Sequence, residues 1–461
     1  MTSIVYTAPD VPLILTVASF LYLANVAETL FQDFIHAGLL GSLCIGIICG
    51  QEVANILPEP LESAFITIGY IGLLLIVFEA GLLTRPSLLF DNILLSCAVA
   101  LSGMLTPIGV SMLLLHFGYG YPLVQSFAAG AALSSTSLGT TLSLLKHAYR
   151  QTRTGTVLMA AALLDDIAGL VIAAILSQLS AHSSLSSIII ARPILVSLGF
   201  AFGIPILAVL SRRVVQLTVT TRAALLSPNG QLFVLVGTLS GFVAGAKYAG
   251  TSELFGAYLA GAYLTHMFEP ADPDADASTT PLATFERYLT PVVRVVFSPL
   301  FFASIGIALP IRSFGSVDGS SRVVWRGIVY SLLMAISKAV VGLWMLLWPD
   351  RASGRGWFGR PGVYDAQQEM IRMDERTPSA PSVAEHVQQP DFTPVQSAAL
   401  VGLAMIARGE IALIVAEISR PLLGISEAGR TSEPFAIVIW ATLLNTAGGA
   451  IAVGLLLKRH R

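Results

Sequence analysis

Apolar residues run along this chain in long unbroken blocks, with polar residues gathered in the short intervals between them. Thirteen blocks are readable, at 11–31, 35–50, 64–83, 92–116, 123–145, 155–180, 192–211, 231–247, 252–267, 291–309, 323–348, 395–418 and 433–457. A block of roughly 20 residues, rising 1.5 Å per residue as a helix, covers a hydrocarbon core of about 30 Å. Alternation with period two over short segments, the mark of a membrane β-barrel, is absent. The pattern predicts an all-α polytopic membrane protein of about 13 transmembrane helices.

Composition agrees. The chain has 461 residues, 54% of them hydrophobic and only 12% charged, against roughly 25% charged in soluble domains. A net charge of −2 and the lack of a basic tail give no reason to expect nucleic acid. Cys44, Cys49 and Cys97 lie in apolar blocks, as small core thiols rather than a disulfide framework. The seven histidines are scattered singly, and no cofactor is expected. No basic residue precedes the first block, which therefore reads as a span and not a cleaved signal.

Charge distribution orients the spans. With the N-terminus outside, sixteen Lys and Arg fall in cytosolic intervals and seven in outer ones, so the positive-inside rule favours an outer N-terminus and a cytosolic C-terminus. Residues 349–394, rich in Pro, Ser and charge, read as a largely disordered cytosolic loop. They divide the membrane domain into a first part, 1–348, and a last part, 395–461, with two spans and a short tail. The acidic stretch "EPADPDADAS" at 269–278 reads as a solvated loop.

A charge in the bilayer core is costly and usually faces a partner or a wet cavity. The deep ones here are Asp165, Asp166, Lys338, Arg408 and Glu410. Glu28 and Glu79 sit nearer span ends. Asp165 lies about ten residues from the cytosolic end of span six, and Lys338 about ten from that of span eleven, so both are roughly 15 Å deep. Successive helical residues diverge by about 100°, so one aspartate can pair with Lys338 while the other faces a cavity.

Span five carries "SSTSLGTT" at 134–141. Its hydroxyls and glycine suit a broken helix whose freed carbonyls face an ion, or a continuous helix in which Ser and Thr bond back to the preceding turn. In span twelve, Arg408, Gly409 and Glu410 mark a second interruption. Spans four to six and eleven to thirteen begin on opposite sides and carry mirrored features, as an inverted repeat would.

The chain resembles the monovalent cation:proton antiporter-2 family, which includes Kef-type and sodium/proton exchangers. The matching pieces are "FEAGL" (78–82), "SSTSLGTTLSLLK" (134–146), "LLDDIAGLV" (163–171), "SELFGAYLAGAYL" (252–264), "FSPLFFASIGIAL" (297–309), "SKAVVG" (337–342) and "ARGEIALIV" (407–415), in family order. The resemblance implies the sodium/proton antiporter fold: a scaffold, a six-helix core with two crossing discontinuous helices, and a homodimer. It implies that Asp166 is the carboxylate taking a proton or, transiently, a metal cation (Na⁺ or K⁺), and that Asp165 is the partner of Lys338. Thr136 and Ser137 correspond to the unwound stretch of the first crossing helix, and Arg408 and Glu410 to the second, where a structural role is expected. The expected activity is secondary antiport of a monovalent cation against protons in a lipid bilayer, not enzymatic catalysis. The cytosolic nucleotide-binding domain of many Kef-type members has no counterpart in these 461 residues.

The rival readings fit less well. An intramembrane aspartyl protease needs its two acids on separate helices, and adjacent Asp165 and Asp166 diverge. A cation channel would favour selectivity loops or charge rings. A transport-inactive sensor or scaffold is the other alternative.

Overall fold

The computed structural model describes residues 10–84, 92–136, 152–181, 187–217, 228–268, 280–311, 314–317, 321–348, 393–424 and 432–458. The stretch 269–278 and nearly all of the 349–394 loop lie outside them. Every apolar block contains helix. The helices are α1 (Val11–Ile35), α2 (Leu39–Cys49), α3 (Glu59–Leu82), α4 (Ile93–Gly118), α5 (Leu123–Ala132), α6 (Arg153–Ala181) and α7 (Ser187–Leu217). They continue with α8 (Pro228–Ala249), α9 (Glu253–Met267), α10 (Thr290–Ala308), α11 (Arg322–Leu347), α12 (Pro394–Ala404), α13 (Glu410–Ile418) and α14 (Glu433–Lys458). Among the described residues nine helices are long and apolar enough to cross a membrane. The other four blocks hold the shorter pieces α2, α5, α9 and the α12–α13 pair.

These helices pack as two bundles. In the first, α1, α2, α3, α8, α9 and α10 touch one another in a chain of neighbours. In the second, α4, α5 and α6 pack with α11, α12, α13 and α14. Helix α7 touches both α9 and α6, and α9 also meets α6 directly. The second bundle therefore unites the two groups of spans whose charges and breaks mirror each other in sequence.

Small residues set the approach between helices, since lipid tails offer no hydrophobic drive for helix association. Where α3 crosses α9, a Cβ on Gly81 would stand 2.1 Å from the Tyr258 carbonyl oxygen, and one on Gly261 would stand 2.3 Å from that of Phe78. The backbones touch, and only glycine fits.

Two helices include π turns, Met112–Gly118 at the end of α4 and Val293–Phe297 in α10. At the second, Asn25 of α1 donates to the Val295 carbonyl at 2.8 Å. The chain enters α12 through a capping box: Thr393 accepts from the Gln396 backbone, and the Gln396 side chain accepts from the Thr393 N–H. This box satisfies two of the donors a helix start leaves open.

Candidate functional site

The site is built where two helices stop in mid-bundle. Helix α5 ends at Ala132 and closes with a turn at Leu133 and Ser134; Ser135 and Thr136 are not helical. A helix continuous through Ser135 and Thr136 is ruled out, and the rest of this span, from residue 137, lies outside the described residues. Ser134 does bond back, donating to Ala131 at 2.7 Å, but the next two residues leave the helix. Helix α12 stops at Ala404, a turn follows at Met405 and Ile406, Ala407 and Arg408 are non-helical, Gly409 is extended, and α13 begins at Glu410. The interruption expected around Arg408 and Gly409 is present.

The breaks serve one another. Arg408 Nη1, from the second break, donates to the Ser135 carbonyl of the first at 3.0 Å. Thr136 Oγ1, from the first, lies 3.4 Å from the Met405 carbonyl of the second. Thr446 of α14 donates to the Arg408 carbonyl at 3.1 Å. A Cβ on Gly449 of α14 would come within 2.5 Å of the Ala407 nitrogen, so α14 lies directly against the non-helical stretch. Backbone groups freed in an apolar interior cost several kcal/mol each if left unpaired, and this crossing supplies partners from side chains.

Into the crossing come Asp165 from α6 and Lys338 from α11. Lys338 Nζ donates to Asp165 Oδ2 at 2.6 Å and to Thr136 Oγ1 at 2.8 Å. The Thr136 hydroxyl donates its own proton to Asp165 Oδ2 at 2.7 Å. Lys338 and Arg408 are 0% exposed and Asp165 is 2% exposed, so the triad is closed off from bulk solvent. Gly103 of α4 makes room for it: a Cβ there would lie 3.4 Å from Lys338 Nζ and 3.1 Å from Met405 Cε.

Asp166 points elsewhere. It is partly exposed, and it sits close enough to Tyr258 of α9 to act on it electrostatically. Tyr258 in turn shares a 2.9 Å hydrogen bond with Thr84 at the end of α3. The adjacent aspartates thus differ in setting: Asp165 is buried in the triad, and Asp166 is partly exposed and acts electrostatically on both Tyr258 and Lys338. Further along α6, toward its C-terminus, a cavity of about 480 Å³ opens at the same seam, lined among others by Leu73, Ala173, Glu253, Phe301, Ile414 and Glu417. Ala173 is two helical turns from Asp166, about 10 Å.

Of the residues singled out in sequence, Asp165, Thr136, Lys338 and Arg408 come together, and Asp166 stands beside them at the seam. Ser137 lies outside the described residues, as does the side chain of Glu410. Gly103, Met405 and Thr446 were not foreseen. Gly103 and Thr446 lie in the small-residue runs "LSGM" and "NTAGG", which do mark close helix contacts. Met405 contributes only a carbonyl, which no side-chain pattern announces.

The sodium/hydrogen exchanger transmembrane model matches residues 15–459. The probable Na⁺/H⁺ antiporter GerT of Bacillus cereus is 26% identical over 82% of this chain and 83% of its own length. The Na⁺/H⁺-K⁺ antiporter GerN of the same organism is 24% identical over 93% and 92%. The solved sodium proton antiporter MjNhaP1 from Methanocaldococcus jannaschii shares 15% identity, with a TM-score of 0.55 over 97% of this chain and 95% of that one. That likeness is one of fold. With two breaks crossing beside a buried aspartate–lysine pair, and a family match along almost its whole length, the chain belongs to the transmembrane sodium/hydrogen exchanger family, which is one of membrane antiporters.

Proposed function

We propose that the protein exchanges Na⁺ or K⁺ for protons across its membrane, with Asp166 taking one or the other in turn. The observation that carries this reading is the division between the two aspartates. Asp165 is committed to Lys338 and Thr136, whereas Asp166 stands at the seam between bundles, partly exposed. A carboxylate is a hard oxygen ligand suited to alkali cations. Because one carboxylate cannot hold proton and cation together, the two fluxes are coupled without further machinery.

Movement of the core bundle against the scaffold bundle turns the seam from one membrane face to the other. The cavity beyond Ala173 supports such a seam, being walled by α3, α9 and α10 on one side and by α6 and α13 on the other. The relatives GerT and GerN, named as Na⁺/H⁺ and Na⁺/H⁺-K⁺ antiporters, support the choice of substrates.

The assembly we propose is a homodimer, as the resemblance to cation:proton antiporters implies. The N-terminus is outside and the C-terminus cytosolic, on the asymmetry of basic residues. Residues 349–394 form a cytosolic loop between the two parts of the membrane domain. Arg408 holds the second crossing together through its hydrogen bond to the Ser135 carbonyl.

Reconstitution in liposomes tests this. Addition of Na⁺ or K⁺ should dissipate an imposed pH gradient, and Asp166→Asn should abolish the response. Exchange that survived in a folded Asp166→Asn protein, or that answered only to Ca²⁺ or an organic solute, would overturn the reading.

A further inference from the structure

Arg408 is more than its hydrogen bond to Ser135 explains. Its guanidinium is fully buried, yet among the described residues Nε and Nη2 have no hydrogen-bond partner. Two buried acceptors at the same crossing are equally unsatisfied, Asp165 Oδ1 and Ser135 Oγ. Arg408 is joined to the Asp165 triad through one residue, since it grips the Ser135 carbonyl while Thr136 grips Asp165. Arg408 and Asp165 also interact electrostatically. Donors and acceptors left over on opposite charges in one closed compartment are what ordered water joins, since buried polar groups almost always find a partner.

The chemistry of the two cations differs. A guanidinium in a protein keeps its charge, whereas a buried ammonium can lose its proton. Asp165 therefore has one switchable partner and one permanent one. If Lys338 were its only countercharge, release of the lysine proton would leave an isolated carboxylate in an apolar interior.

We propose that Arg408 is the permanent countercharge of Asp165, acting through ordered water between its Nε and Nη2 and Asp165 Oδ1, so that Lys338 is free to give up its proton during the cycle. This rests on the exchange reading above. Arg408 is then a positioning residue: it touches no transported ion, and it acts through Asp165 and Lys338. Cation binding at Asp166 adds a positive charge beside a compartment already holding two, and the lysine proton is the charge that can leave. Exchange would then move more than one proton per monovalent cation, and so carry current.

The test has a stability arm and a transport arm. Lys338→Gln should fold, because Arg408 still holds Asp165 as a carboxylate. Lys338→Gln with Arg408→Gln should unfold at clearly lower temperature than the two single losses together imply, and adding Asp165→Asn to that pair should restore most of the loss. In liposomes, folded Arg408→Gln should shift the pH of half-maximal exchange upward by about one unit or more, as removal of a nearby positive charge does. Arg408→Lys, whose buried ammonium can itself lose its proton, should shift it the same way but by less. If Arg408 only caps the Ser135 carbonyl, the pH profile of Arg408→Gln will match the native one and the Lys338→Gln and Arg408→Gln losses will simply add, and either result overturns the proposal. Should Arg408→Gln fail to fold alone, the neutral triple variant decides. Should the native protein show no exchange, the exchange reading falls, while the stability arm still decides the pairing.

Discussion

The scaffold and core bundles bring helices together in the same way but bury different things. In the scaffold, α3 and α9 cross at Gly81 and Gly261, and the contact is backbone on backbone. In the core, α11 and α12 cross just as closely: a Cβ on Gly342 would lie 2.1 Å from the Ala398 carbonyl, and one on Gly402 would lie 2.5 Å from that of Ala339. Yet among the described residues the ionisable acids and bases exposed 2% or less are Asp165, Lys338 and Arg408, all in the core. Close packing therefore fixes both bundles, and the core adds the most deeply buried charges, since the scaffold's Glu62 is 8% exposed. On the exchange reading, the core is the part that answers to an ion.

Substitutions can break or sharpen that contrast. The largest effect is expected at the seam. Asp166→Asn should reduce cation-driven proton flux at least about a hundredfold, the scale of losing an essential titrating group, with little change in melting temperature, measured on the purified protein. Next comes the buried pair. Asp165→Asn alone leaves Lys338 without its carboxylate and should cost about 3–5 kcal/mol, read as a fall in thermal stability in detergent. Asp165→Asn with Lys338→Gln should cost less than Asp165→Asn alone; additive losses would show that the two are not coupled.

A scaffold change should behave otherwise. Gly261→Val forces α3 from α9 and should cost about 1–3 kcal/mol through overpacking, while the pH profile of exchange stays where it was. A shifted profile would mean that the scaffold is no passive wall. The smallest effect is expected from deleting 355–390, a stretch with no apolar block to fold into either bundle. Exchange rates should hold within about twofold, and loss of all transport in a normally inserted deletion variant would give that loop a part in the mechanism.

Much of the core was legible in the sequence, because charge in an apolar block is conspicuous and helical rise converts position to depth. Asp165 and Lys338 share a depth, and they pair. The break at Arg408 and Gly409 was equally visible, since a guanidinium and a glycine interrupt nothing but apolar residues there. Helix ends were less visible. Helix α3 begins at Glu59, five residues before its apolar block, because Pro58 and Pro60 shape its first turn and its acids favour a helix start. The π turns were invisible, for an extra residue in a turn leaves an apolar run looking the same. Bundle membership was hidden as well. Nothing in the composition of α9 assigns it to the scaffold; the glycines that meet Phe78 and Tyr258 do so only once both helices are in place.

The central claim is that one carboxylate holds either a cation or a proton. It is tested most directly by the apparent Na⁺ or K⁺ affinity of exchange in liposomes, measured over a series of pH values at constant ionic strength. Competition at Asp166 predicts that affinity weakens as pH falls, approaching tenfold per unit on the acid side of the titration of that carboxyl, while the maximal rate at saturating cation changes far less. An apparent affinity independent of pH across that range would mean that proton and cation bind at separate places, and would contradict the account.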